Sequence, residues 1–167
     1  VRLQKGNRIF VAEMNKELTS IKHETLKECI VAEQGWEDTQ NVNWKVAEGP
    51  TILKHKGFYY LIYSANDFRN PDYAVGYATA KSLSGPWQKF KGNPIISRET
   101  LKYNGTGHGD VLIDDKGKMS YVLHTHNSGE SVAPRKTAMV SLKFESQSNG
   151  LPDKIIALPE TFRFLEK

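Results

Sequence analysis

Apolar positions along this chain either alternate with polar ones or run together in short blocks, and nearly every block ends at a glycine, proline or asparagine. NRIFVAEM (7–14), GPTILKHKGFYYLIYSA (49–65), YAVGYATA (73–80), GDVLIDDKGKMSYVLHT (109–125) and TAMVSLKFE (137–145) carry the period-two or continuous apolar signature of strands. KHKGF and DDKGK interrupt two of these runs where a glycine-bearing hairpin turn belongs. SLSGPW, NGTG and SNGLP are further breaks. Only ELTSIKHETLKECIVAE (17–33) tempts a helical reading, and Leu18, Ile21 and Leu26 fit a short strand and a loop equally well. No low-complexity segment or interdomain linker interrupts the pattern.

The chain also resembles itself. Sliding it by 60 residues lays GPTILKHKG (49–57) over GDVLIDDKG (109–117), with both glycines coinciding and Ala78 meeting Ala138. A shift of 65 lays KELTS (16–20) over KSLSG (81–85). A strand-rich unit repeating every 60 to 65 residues, with a hairpin followed by further strands, fits four-stranded propeller blades. A sandwich gives similar strands but no reason for the repeat. Under the 60-residue shift Glu48 falls on His108, each just ahead of the innermost strand of its unit. Inner strands of a propeller begin around one end of a central channel, so these two residues are expected to be neighbours around that axis.

Composition narrows the function classes. A chain of 167 residues with 25% charged and 38% hydrophobic residues is ordinary globular protein, and no apolar run reaches the length of a membrane helix. VRLQKGNRIF lacks the apolar core of a signal peptide. The single cysteine, Cys29, excludes an internal disulfide or a multi-cysteine zinc cage and reads as a small buried residue. The net charge of +4 is spread among acids without a basic block or a nucleic-acid-binding motif, so no nucleic-acid partner is expected.

A carboxylate at the mouth of a buried strand must be hydrogen-bonded, paired or wet, and Glu48 in VAEGPTIL is such a carboxylate. The segments AEGPTILKHKGFYYLIYSAND, YAVGYATAKSLSGPWQKFKGNPII and NGTGHGDVLIDDKGKMSYVLHTH together resemble glycoside hydrolase family 43, in order and from Arg8 onward. The resemblance implies an all-β, five-bladed propeller hydrolysing arabinose- or xylose-containing saccharides with inversion. It makes Glu48 the general acid that protonates the leaving glycosidic oxygen. Inversion needs a second carboxylate on the far side of the scissile bond, about 6.5–9.5 Å away, to activate water. The family's acid-tuning Asp and its general base are expected one and more repeats upstream of Glu48. Glu13, Glu17, Glu24, Glu28, Glu33, Glu37 and Asp38 do not stand in the DP that opens such a strand.

The chain is therefore expected to be the C-terminal portion of one propeller, about two and a half blades. Residues 1–45 end the third blade, 46–105 form the fourth and 106–167 the fifth; on its own this portion is expected to be inactive. The resemblance gives His108 a place lining the channel beneath the sugar, where some members hold calcium or its waters; no other cofactor is implied, and one imidazole is a poor calcium site by itself. It also matches Arg135 to a sugar-contacting arginine, with a solvated loop arginine as the alternative. Phe68 or Tyr73 in FRNPDY can flank substrate or simply pack. His124 and His126 read as a hydrogen-bonded strand-end pair rather than metal ligands. Trp36 and Trp44 are candidate stacking platforms for sugars, while Trp87 belongs to a structural GPW turn. The expected partner is carbohydrate, with no membrane, an extracellular or periplasmic setting, and a homodimer covering the exposed blade faces. The competing reading is a carbohydrate-binding or assembly module without catalysis.

Overall fold

The computed structural model describes residues 5–148 and 150–165. Its strands are β1 (Gly6–Asn7), β2 (Ile9–Val11), β3 (Lys27–Ile30), β4 (Lys45–His55), β5 (Phe58–Ala65), β6 (Ala74–Ala80), β7 (Gln88–Lys89), β8 (Gly107–Ile113), β9 (Met119–Thr125), β10 (Lys136–Glu145) and β11 (Lys154–Phe164). One short helix, α1 (Arg98–Leu101), lies between β7 and β8. Strands β4 to β7 follow one another in an antiparallel sheet to which β1 adds a parallel edge; β8 to β11 form a second antiparallel sheet, and β2 pairs with β3.

The two hairpins that lead the large sheets turn in different ways. Lys56 and Gly57 join β4 to β5 with φ of 45° and 79°, the pair of left-handed residues that a two-residue hairpin turn requires. Between β8 and β9 the Asp114 side chain accepts from the backbone N–H groups of Lys116 and Lys118 at 3.0 and 2.8 Å, and Gly117 takes the positive φ.

Continuous apolar runs mark strands that are covered on both sides. Every residue of β6 is buried. Tyr60 and Ile62 of β5 pack toward the second sheet with Tyr77, Tyr121, Leu123, Val140 and Ile155. Leu61, Tyr63 and Ala65 point the other way, onto Ile9, Ile30 and Ala47, with Trp36, Trp87 and Cys29 packed around them. Burial pushes the Cys29 thiol up, as befits a packing residue.

The stretch 17–33 is not a helix but a 3-10 turn (His23–Thr25) followed by β3. Thr25 Oγ1 donates to the Lys22 carbonyl at 2.7 Å and accepts from the Glu13 N–H at 2.8 Å, local polar bonds that compete with a helical ladder. Strand β11 lies in a segment whose pattern predicts no strand. Its run is broken by Pro159 and Glu160, which sit where the pairing with β10 jumps from Leu158 opposite Ser141 to Arg163 opposite Met139. A proline is tolerated at such an irregularity on a sheet edge.

The repeat survives with one adjustment. Both leading strands carry a bulge at the same height: two residues, 49 and 50, stand opposite Tyr63, and two residues, 108 and 109, stand opposite Leu123. The leading strands therefore superpose at a shift of 59, so His108 corresponds to Gly49 and Glu48 to Gly107, while their partner strands superpose at 60. Both Glu48 and His108 also lie within their strands rather than ahead of them.

Candidate active site

Glu48 stands on β4 directly across from the buried Ser64 of β5, one residue before the bulge. A bulge re-aims the side chains beside it, and Gly49 supplies the positive φ of 58°. The Glu48 carboxylate is about a quarter exposed, so it is neither sealed in the core nor loose on the surface. Its Oε1 accepts a hydrogen bond of 2.7 Å from the Tyr73 hydroxyl and lies 3.7 Å from His108 Nδ1.

Tyr73 comes from the loop ahead of β6 and is fully buried, so it supports the carboxylate from beneath rather than flanking a substrate. Its ring lies so close to Gly107 that a β-carbon there would come within 2.4 Å of it. Burial, with Glu48 beside it, pushes the Tyr73 phenol far above its ordinary range, which keeps it a hydrogen-bond donor. His108 sits on the second bulge with φ of 49°, its backbone N–H donating to Ser64 Oγ at 2.8 Å and its ring half exposed. The two leading strands are joined again one step on, where Thr51 Oγ1 donates to Asp110 Oδ1 at 2.5 Å.

His124, on β9 opposite Gly107, completes the wall of an open groove of about 480 Å³ that also includes Gly49, Thr51, His108, Asp110 and Thr137. Burial, and then the positive Arg135, pull the His124 imidazole below its ordinary value. Its Nδ1 and the Arg135 Nη1 are both buried without a hydrogen-bond partner among the described residues. Phe68 and Arg135 are brought together: the guanidinium lies over the ring at 5.2 Å, with Arg69 at 5.5 Å. His126 fixes the Phe68 loop through a 2.9 Å contact from Nε2 to the Phe68 carbonyl oxygen, and a β-carbon on Gly105 would collide with its ring at 2.0 Å. Trp44 is exposed, donates from Nε1 to Asn7 Oδ1, and lines a second open groove with Asp67 and Arg69. Trp36 and Trp87 pack on the core.

The contacts made by Tyr73, Ser64 and His126 were not visible in the sequence, because each acts on a residue 25 or more positions away. The only usable signal was the polar Ser64 in an otherwise apolar strand. Glu37 was also missed: it is fully buried, accepts from Tyr63 Oη and the N–H groups of Glu33 and Gln34, and pairs with Lys89 at 2.7 Å.

Among the described residues no three His, Cys, Asp or Glu side chains gather to hold a metal. Glu48 and His108 offer calcium far fewer oxygens than the six to eight it takes, so these residues do not form a calcium site by themselves. What the cluster can do is acid chemistry. One carboxyl oxygen of Glu48 is anchored, and the other has no hydrogen-bond partner among the described residues.

The model of the family described as glycosyl hydrolases family 43 matches residues 2–151. The chain is 26% identical over 148 residues to a β-D-galactofuranosidase of Aspergillus niger, covering 87% of this chain and 39% of that protein. It is 32% identical over 92 residues to an extracellular exo-α-(1→5)-L-arabinofuranosidase of Streptomyces chartreusis, covering 52% and 28%. Among solved structures, an endo-1,4-β-xylanase from Bacteroides thetaiotaomicron superposes with a TM-score of 0.83 at 40% identity over 94% of this chain and 52% of that one. The chain thus spans about half the length of that structure and less of those relatives. The architecture shared with these structures is all-β, and this chain forms part of a five-bladed propeller.

Proposed function

Because the chain belongs to glycosyl hydrolase family 43, we propose that it carries the acid half of an inverting glycosidase site for xylose- or arabinose-containing saccharides. The observation that carries this reading is Glu48 itself, a partly exposed carboxyl on a strand bulge, held through one oxygen by Tyr73 and faced by His108. Protonated Glu48 gives its proton to the glycosidic oxygen as the bond to the anomeric carbon breaks. Water attacks that carbon from the opposite face and loses a proton to a second carboxylate. That base and the carboxylate that tunes the acid belong to the earlier blades, which residues 1–45, 46–105 and 106–167, taken as the end of the third blade, the fourth and the fifth, do not reach. His108, with Arg135 and Phe68, is assigned to sugar binding, which the half-exposed His108 ring in the open groove supports. Any calcium beside His108 draws its oxygens from water or from chain beyond the described residues.

The arabinofuranosidase and the xylanase support the pentose substrate class by their names, whereas the Aspergillus niger relative is named for a hexofuranoside; the Streptomyces chartreusis name supports an extracellular setting. The test is hydrolysis of xylo- and arabino-oligosaccharides by the protein carrying the complete propeller, with the product anomer followed by NMR before mutarotation. Inverted product supports the reading, and retained configuration or no turnover of any pentoside contradicts it. The 167 residues alone are proposed to be inactive on nitrophenyl pentosides; turnover abolished by Glu48→Ala contradicts that. Exposed Phe10, Ile52, Leu112 and Ile113 further support self-association of the isolated chain, and a strictly monomeric mass by light scattering at high concentration rules it out.

A further inference from the structure

Buried hydroxyls lie beneath Glu48. Tyr121, Ser64 and Tyr73 are all buried, on β9, β5 and the loop before β6. Gly109 N–H donates to Tyr121 Oη at 3.2 Å, and His108 N–H donates to Ser64 Oγ at 2.8 Å. Tyr73 Oη donates to Glu48 Oε1 at 2.7 Å.

A phenol has one hydrogen to give, and the Tyr73 hydroxyl is hydrogen-bonded to Glu48 Oε1. Burial holds that hydrogen on the phenol. A buried donor left without an acceptor is costly, so Tyr73 donates and Oε1 accepts.

We propose that Tyr73 is a positioning residue for the acid. By donating to Oε1 from a fully buried ring, it confines the transferable proton of Glu48 to Oε2. The assignment rests on Glu48 being the general acid. It accounts for Gly107, which must lack a side chain for the Tyr73 ring to lie where it does.

The experiment compares Tyr73→Phe, Glu48→Gln and the double variant in the protein carrying the complete propeller. Two substrates are used, one with a poor leaving group such as a xylo-oligosaccharide and one with a good leaving group such as a dinitrophenyl pentoside. Tyr73→Phe keeps the ring and removes only the hydroxyl. It is expected to lower kcat about 10-fold on the poor leaving group, the scale of a lost hydrogen bond to a charged group, with little change on the good one. On the Glu48→Gln background the same change is expected to have no further effect, because there is no acid proton left to place. Equal losses on both substrates, or a full Tyr73→Phe effect on the Glu48→Gln background, overturn the positioning role and leave a packing tyrosine. If Glu48→Gln itself shows no leaving-group dependence, the acid assignment is what fails. If it does and Tyr73→Phe matches the parent on both substrates, only the present inference fails.

Discussion

In the sheet led by β4 the two bulged residues are Gly49 and Pro50; in the sheet led by β8 they are His108 and Gly109. The first bulge puts glycine at the left-handed φ and leaves the preceding Glu48 to act. The second puts histidine itself at that φ, a conformation costing a residue with a β-carbon about 1–2 kcal/mol. One backbone device, used twice, thus delivers an acid from one sheet and an imidazole with two N–H donors from the other. The sheets also differ in how they are held. In the first sheet β6 is wholly buried and one face is fastened by the buried Glu37–Lys89 pair, while both leading strands keep exposed apolar residues, Ile52 on β4 and Leu112 and Ile113 on β8. The strained residue draws support from Ser64 of the other sheet.

The largest effect expected from this comparison is on stability. Glu37→Ala leaves the Lys89 ammonium, only 14% exposed, without its carboxylate, and is expected to cost about 3–5 kcal/mol in urea denaturation. A cost below about 1 kcal/mol means that the pair does not fasten the sheet. Next, His108→Gly is expected to raise stability by about 1 kcal/mol through relief of the φ strain while weakening saccharide binding. A destabilised variant indicates that the ring contributes more to the fold than its conformation costs.

Smaller still are the hairpin turns. Gly57 and Gly117 share a positive φ near 78°, and nothing lies within 4 Å of where a β-carbon would stand on either. Alanine at each is expected to cost the same, about 1 kcal/mol, and unequal costs in thermal melts indicate that the turns are not equivalent despite the repeat.

The smallest effect concerns acid. Lys56, and after it His55, hold the Asp153 carboxyl below its usual 3.8. A carboxyl depressed in the folded state adds stability above its unfolded pKa and loses it as pH falls through the folded value. The stability gap between the parent and Asp153→Asn is therefore expected to be flat at neutral pH and to close below about pH 4. A gap that stays constant down to pH 2 removes this linkage.

The hairpins of both sheets and β6 were legible because two covered faces leave a continuous apolar run bounded by turn residues, as in GFYYLIYSA and YAVGYATA. Strand β11 was not, since Pro159 and Glu160 interrupt it at a bulge that only pairing with β10 explains. Strands β3 and β7 are short and mostly polar, so pattern alone does not separate them from loops. At the site, Glu48 and His108 could be singled out because each stands beside glycine just ahead of an apolar run in the sequence. The register between them was off by one, because a bulge adds a residue that leaves no mark on hydrophobic periodicity. Tyr73 read as a loop aromatic, and Glu37 only as an acid outside the DP pattern; their burial is a property of packing across sheets.

The central claim is that Glu48 gives its proton to the leaving group, and its most direct test is the leaving-group dependence of Glu48→Gln in the protein carrying the complete propeller. The account predicts a loss of about a hundredfold or more in turnover of an unactivated pentoside, shrinking toward parity as the leaving group becomes a better one. An equal loss across the whole series contradicts it, because a carboxyl that only holds the sugar or the fold does not sense how badly the departing oxygen needs a proton.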